Sequence, residues 1–203
     1  MYVLINALII ILVAIVTTVV LRGGRFKSQK KVQCAIFLGL IIYSFVISIF
    51  PLENIFYTFD SPDAVYKYMS FENTEIDVLV EGDKCDYVIG KTTEERTFSE
   101  MIIPKTDSGY KIRTGFKTKT RTIWDGIPNG GTVFTTEYGE DLFVGISFIT
   151  PGAHEVTSNE DSDFIVRKSF VDGEEFYEDY YVHVSDKDSF KLYIDGIEVD
   201  VVG

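Results

Sequence analysis

Outside its carboxylates this chain holds few residues that could do chemistry: His154 and His183, Cys34 and Cys85, and Ser147 in Gly145-Ile146-Ser147-Phe148-Ile149. Zinc sites draw His and Cys ligands at short, characteristic spacings, and neither histidine has a second His or Cys at such a distance. A serine nucleophile wants Gly-x-Ser-x-Gly on a sharp turn, whereas this string keeps one glycine inside a strand-like run, so Ser147 reads as structural. Glycoside hydrolysis needs two carboxylates at a set separation, which an acidic chain cannot reveal by abundance alone. Asn159, Glu160, Asp161 and Asp163 gather oxygen ligands but lack the Asp-x-Asp-x-Asp-Gly loop with its terminal Glu, so they read as a solvated turn rather than a calcium site. The expectation is a non-enzyme with no catalytic residues, no metal and no cofactor.

Binding chemistry has two candidates. Lys111, Arg113, Lys117, Lys119 and Arg121 all occupy odd positions in a stretch without acids, while Tyr110, Ile112, Phe116 and Trp124 occupy even ones. In a strand that pattern makes one face basic and the other apolar, a surface for an anionic polymer or lipid head groups. The competing reading is that acids of neighbouring strands pair with the stripe, or that it guards an edge strand. Tyr177, Tyr181 and His183 form the second candidate, an aromatic surface on the outward face of a strand whose inward face carries Phe176 and Tyr180.

The elements that must position these residues are mainly strands. From Thr74 onward, short Val/Ile/Phe/Tyr/Thr runs alternate with period two between turn signals at Gly82-Asp83, Ser108-Gly109, Asn129-Gly130-Gly131, Gly139-Glu140, Asp172-Gly173 and Asp195-Gly196. Sequential antiparallel strands follow, with expected core faces Ile76/Val78/Val80, Leu142/Val144/Ile146/Phe148, Phe164/Val166/Phe170, Phe176/Tyr180/Val182/Val184 and Ile197/Val199/Val201. One short helix precedes them: Ser61 as N-cap, Pro62 at the first helical position and Asp63 in the first turn, burying Val65, Tyr68 and Met69. The glycine-rich loop 125–131 is the expected division into halves 61–124 and 131–203.

Charge divides the chain more sharply than pattern does. Residues 1–50 contain no Asp or Glu, and their basic residues, Arg22, Arg25, Lys27, Lys30 and Lys31, all lie between two apolar runs, 2–21 and 32–50. A run of this length spans roughly 30 Å as a helix, the thickness of a bilayer core. The sequence therefore predicts a transmembrane α-helical hairpin over residues 1–51, with a basic cytoplasmic loop at 22–31. Residues 52–203 form a mainly-β, antiparallel α+β extracytoplasmic domain with one short N-terminal helix, and both termini lie outside the cytoplasm. That topology leaves the cytoplasm too little chain for a kinase or a nucleic-acid-binding domain. Cys34 falls in the second run and Cys85 in the outer domain, so no disulfide is expected to join them.

The apolar hairpin, Phe50-Pro51-Leu52-Glu53-Asn54, Ser61-Pro62-Asp63-Ala64, Ile102-Ile103-Pro104-Lys105 and a closing tyrosine-rich hairpin together resemble small uncharacterised membrane-anchored proteins of Gram-positive bacteria. The resemblance implies location and architecture, not an activity. The function expected is non-enzymatic binding of another cell-envelope component from the membrane. The partners are then the lipid bilayer together with a membrane or envelope protein or an anionic surface polymer, and no nucleic acid. The alternatives are an accessory subunit of a transporter or sensor and a surface hydrolase without a familiar motif.

Overall fold

A computed structural model of the chain describes residues 10, 11, 13–15, 17–19, 30–70, 74–92, 98–115, 118–123, 127, 131–149, 154–160, 163–171 and 174–201. The described residues between 10 and 19 are helical, and α1 (Lys30–Ile49) is a 20-residue helix. Counted over the described residues, no helix is long and apolar enough to cross a membrane. Of the basic loop, Arg22, Arg25 and Lys27 lie outside the described residues, as do the side chains of Lys30 and Lys31.

After α1 come α2 (Glu53–Phe56) and α3 (Pro62–Met69), then, among the described residues, twelve strands: β1 (Thr74–Glu81), β2 (Cys85–Thr92), β3 (Phe98–Thr106), β4 (Gly109–Tyr110), β5 (Thr118–Ile123), β6 (Thr132–Tyr138), β7 (Asp141–Phe148), β8 (Val156–Ser158), β9 (Ile165–Val171), β10 (Glu174–Val184), β11 (Leu192–Ile194) and β12 (Ile197–Val199). All described pairings are antiparallel and build three sheets, ordered β1-β2-β3-β4, β5-β6-β7-β10-β9 and β12-β11-β8. The architecture is mainly antiparallel β with a few short helices, as the alternation predicts.

Three apolar clusters stack these elements into four layers. Phe59, Val65, Tyr66, Val88, Ile103 and Ile112 join α3 to the first sheet. Val78, Val80, Cys85, Tyr87, Ile89, Ile102, Phe143 and Tyr181 join the first sheet to the second. Leu142, Val144, Ile146, Phe148, Tyr180, Val182, Val184, Leu192, Ile194 and Val199 join the second to the third. The middle sheet is thus covered on both faces, which is why β7 is buried at nearly every position. Each large side chain sealed in these layers contributes about 1.5–3 kcal/mol of hydrophobic stabilisation.

Local signals act as expected at two points. The Ser61 hydroxyl accepts a hydrogen bond from the Ala64 amide (3.1 Å), capping α3 with Pro62 at its start. Asp195 and Gly196 both take positive φ (51° and 77°) in the β11–β12 hairpin, the backbone that Asx-Gly turns supply. The helix, however, is seated by a residue the periodicity passes over: Tyr66 is fully buried, with Gly90 of β2 beneath it. A Cβ at Gly90 would stand 1.6 Å from the Tyr66 hydroxyl, so the close approach demands glycine.

Several expectations are corrected. Loop 125–131 does not separate halves, because β5 and β6 on either side of it pair with each other; the change of sheet falls earlier, between Tyr110 and Thr118. Ile76 does not share a face with Val78 and Val80, because a bulge shifts the β1–β2 register between Ile76 and Val78, and Ile76 packs toward α3. Val166 and Ile197 are exposed, since β9 and β12 are edge strands with nothing covering those positions. The side chains of Phe170 and Phe176 lie outside the described residues.

Candidate functional site

Two polar assemblies and one groove are candidates for function. The first assembly is a seam between the first two sheets. Asp141, at the start of β7, is 2% exposed and receives the backbone N–H groups of Asp83, Lys84 and Cys85 at 3.0, 2.8 and 2.9 Å. Its carboxylate also accepts the Cys85 thiol (3.2 Å) and contacts His183 Nε2 (3.1 Å). Burial pushes the Asp141 carboxyl upward, but the Lys84 amide, the Cys85 thiol, the Asp83 amide and His183 together outweigh it and hold it below the ordinary carboxylate range. Burial, and then the facing Asp141 carboxylate, push the Cys85 thiol well up, so it stays protonated and a poor nucleophile.

Asp83, Asp141 and His183 also bring three metal-ligating side chains within 4.8 Å of one another, a grouping that no sequence spacing suggests. The Asp141 oxygens there are already engaged by four donors from the 83–85 turn and by His183. As it stands, the assembly is a clip that ties the β1–β2 turn to the middle sheet.

The second assembly surrounds Arg167 on β9, which is 9% exposed. Its Nε pairs with Asp77 Oδ2 at 2.8 Å and its Nη1 with Asp179 Oδ2 at 3.4 Å, joining the first sheet to the second. Asp77 is the extra residue of the β1 bulge, so the break in register is what places its carboxylate in reach of Arg167. Ser147 donates to Asp179 Oδ1 at 2.6 Å. Burial raises the Asp179 carboxyl, against the opposing pull of Ser147 and Arg167. Beside them a crevice of about 210 Å³ is lined by Glu100, Ser147, Arg167, Tyr177, Asp179 and Tyr181.

Each assembly holds one potential nucleophile, Cys85 in the first and Ser147 in the second. Here Cys85 and Ser147 each donate directly to a carboxylate, and His183 faces the far oxygen of Asp141 instead of the thiol.

The groove lies where the helices meet the β domain. The chain leaving α1 is clasped by residues 110–115: Gly115 N–H donates to Ile49 O (2.9 Å), and Phe59 and Tyr110 exchange backbone bonds at 2.9 and 2.8 Å. The Asn54 side chain imitates a strand, donating to Ile112 O (2.7 Å) and accepting from Ile112 N–H (2.9 Å). Lys111 Nζ donates to the carbonyls of Asn54 (2.9 Å) and Tyr57 (2.6 Å). This collar leaves Ile55 and Phe56 70% and 85% exposed, with Phe50, Leu52 and Tyr57 also open to solvent.

Above the collar a groove of about 480 Å³ is lined by Glu53, Tyr57, Phe59, Ala64, Lys67 and Tyr68. Phe59 lies between two tyrosine rings, its centroid 4.8 Å from Tyr57 and 5.4 Å from Tyr68. The Tyr68 hydroxyl donates to Glu53 Oε1 at 3.2 Å, while Glu53 Oε2 is buried and receives no hydrogen bond.

No protein-family model, curated protein or solved structure matches this chain. Its site must be read from its own geometry.

The residues singled out by spacing are dispersed. Of the basic stripe, Lys111 turns inward to bind carbonyls, Arg113 is exposed and donates to Thr118 Oγ1 (3.2 Å), and Lys119 and Arg121 stand on the exposed edge strand β5, with Lys119 in register with Glu137. Lys117 lies outside the described residues. No single strand carries the stripe, because residues 111–115 leave the sheet before β5 begins.

The outward aromatic surface is also corrected. Tyr181 is 4% exposed, His183 is largely covered, and Tyr177 lines the crevice, because the first sheet covers the face they share. Of the acidic turn, the Glu160 carboxylate accepts the amides of Ser185 and Asp186 and the Asn159 side chain bridges Ser189 and Lys191, while Asp161 lies outside the described residues. Sequence reasoning passed over Asp141, Arg167, Asp179 and Glu53. Only Glu53 carries a local signal, being the first acid of the chain and the one acid among residues 1–59.

Proposed function

We propose that this chain is a two-pass membrane protein whose β domain lies outside the cytoplasm and binds another component of the cell envelope without transforming it. The observation that carries the reading is a run of uncovered apolar side chains leading from α1 into the collar. Phe37, Leu38, Ile41, Ile42, Phe45 and Val46 are exposed on α1, followed by Phe50, Leu52, Ile55 and Phe56. A contiguous apolar surface of this kind calls for lipid or protein to cover it. The sequence extends it in both directions, since 2–21 and 32–50 are each long enough to span a bilayer core and the basic loop between them favours the cytoplasmic side.

Binding in place of catalysis is favoured by the arrangement of Cys85 and Ser147, both tied to carboxylates, and by a groove whose lining is aromatic. The reading is tested with the full-length chain in isolated membranes. It predicts that the protein resists alkaline carbonate extraction and floats with liposomes after detergent removal. Quantitative release into the carbonate supernatant would overturn it.

A further inference from the structure

We infer that the collar groove holds the zwitterionic headgroup of a phospholipid, its ammonium among Tyr57, Phe59, Tyr68 and Glu53 and its phosphate toward Lys67. The inference rests on the membrane-anchored reading for the source of the ligand, and on the groove's own chemistry for its class.

Glu53 carries the chemistry of the ammonium. A carboxylate with one hydrogen-bond donor for its two oxygens keeps most of its charge uncompensated, and a cation in the groove it lines is attracted to it. One oxygen of Glu53 is satisfied by the Tyr68 hydroxyl and the other is buried without a donor. The surrounding rings select the kind of cation. Calcium takes six to eight oxygen ligands and zinc four nitrogen, sulfur or oxygen ligands, which one carboxylate and three aromatic rings do not supply. Ring faces attract a large, weakly hydrated ammonium, and aromatic cages for quaternary ammonium groups use this attraction.

Lys67 supplies the opposite charge. It lines the same groove from α3, and its pairing with Asp63 at 2.8 Å is a solvent-exposed i,i+4 bridge, the kind that contributes little and exchanges readily. A ligand with an ammonium and a phosphate a few bonds apart matches both ends of the groove.

Position selects a lipid as the source. Glu53 lies four residues beyond the end of α1, and Ile55 and Phe56, at the C-terminal end of the same short helix α2, are among the most exposed apolar residues of the collar. Exposed apolar and aromatic side chains at the end of a spanning helix belong at the headgroup level of a bilayer. A groove beside them faces the headgroups at high local concentration, so modest intrinsic affinity suffices for occupancy.

The experiment uses the full chain in nanodiscs of anionic phosphatidylglycerol, alone or doped with phosphatidylcholine, together with soluble glycerophosphocholine added to the chain in maltoside detergent. Magnetisation transfer from the N-methyl protons to the tyrosine rings is read in each. The prediction is transfer from both the lipid and the soluble headgroup, with Glu53→Gln weakening glycerophosphocholine binding at least tenfold and Tyr57→Ser weakening it about threefold. Circular dichroism melts establish that both variants are folded; Tyr57 is already half exposed, so its replacement leaves the core intact.

Binding of glycerophosphocholine without transfer from the lipid would overturn the lipid source. Absence of binding to either, or equal binding by folded Glu53→Gln, would overturn the site. Liposome flotation of the same samples reports on the anchor separately, so loss of flotation with intact glycerophosphocholine binding identifies failure of the membrane reading.

Discussion

Asp141 and Glu53 both present carboxylate oxygens withdrawn from water, but the chain treats them in opposite ways. Asp141 sits in the seam between two sheets with three backbone amides, a thiol and an imidazole around it. Glu53 sits in the collar with one oxygen on the Tyr68 hydroxyl and the other without a donor. A saturated buried charge holds a fold together, because every donor it leaves behind on removal becomes an unmet cost. An unsaturated one adds little to the fold and leaves capacity for a ligand. The contrast separates the part of this molecule that is structure from the part that is available for binding.

The most severe way to break that contrast is Asp141→Ala. It strands three backbone N–H groups in the seam and should cost about 4 kcal/mol in urea denaturation, enough to unfold a marginal domain. A loss under 1 kcal/mol would show that the seam is not what the geometry makes it.

The collar has a structural share of its own, and Lys111→Met measures it. Removing the ammonium leaves the Asn54 and Tyr57 carbonyls without their donor, in a half-exposed setting, and should lower stability by about 1–2 kcal/mol. Limited proteolysis should then cut first near 50–59. A variant as resistant as wild type would assign Lys111 to the surface.

Titration separates the two polar assemblies, because the Asp141 and Asp179 carboxyls shift in opposite directions. The folded pKa of Asp141 is depressed, so its contribution is complete above the unfolded value of about 3.9 and is lost as pH falls through the folded pKa. That of Asp179 is raised, so stability falls as pH rises from the unfolded value through the folded one. Denaturation at stepped pH should therefore show Asp141→Asn with a flatter acid limb than wild type. Asp179→Asn should gain on wild type as pH climbs through that window. Parallel profiles for all three proteins would contradict the assignment.

The smallest effect is the most informative about the collar. Glu53→Gln should change global stability by less than about 0.5 kcal/mol, since its second oxygen has no donor to lose. A loss near that of Asp141→Ala would mean that Glu53 is a second structural clip.

Much of the domain was legible because its signals are local. The Ser61-Pro62 start, the Asp195-Gly196 turn and the Leu142/Val144/Ile146/Phe148 face follow from backbone preference and period-two alternation, which act within a few residues. Alternation tells which residues share a face, not whether that face is later covered. Alternation alone therefore points Tyr181 and His183 outward, whereas the first sheet lies over them. The Asp141 seam was illegible for a related reason: its donors lie 56 to 58 residues away, and nothing beside Gly139-Glu140 announces them. The basic stripe misled because alternation was carried across residues 111–115, where the chain leaves the sheet to clasp the collar. Glu53 could have been found, as an isolated acid in an otherwise acid-free stretch.

Site-directed cysteine labelling on intact cells tests the anchored, outward-facing domain most directly. In a Cys34→Ser background, with Cys85 sealed in the core, Ser108→Cys in the β3–β4 turn should react with a membrane-impermeant maleimide on intact cells, and Lys27→Cys only after permeabilisation. Labelling of Lys27→Cys on intact cells while Ser108→Cys stays protected would contradict the topology and the function built on it.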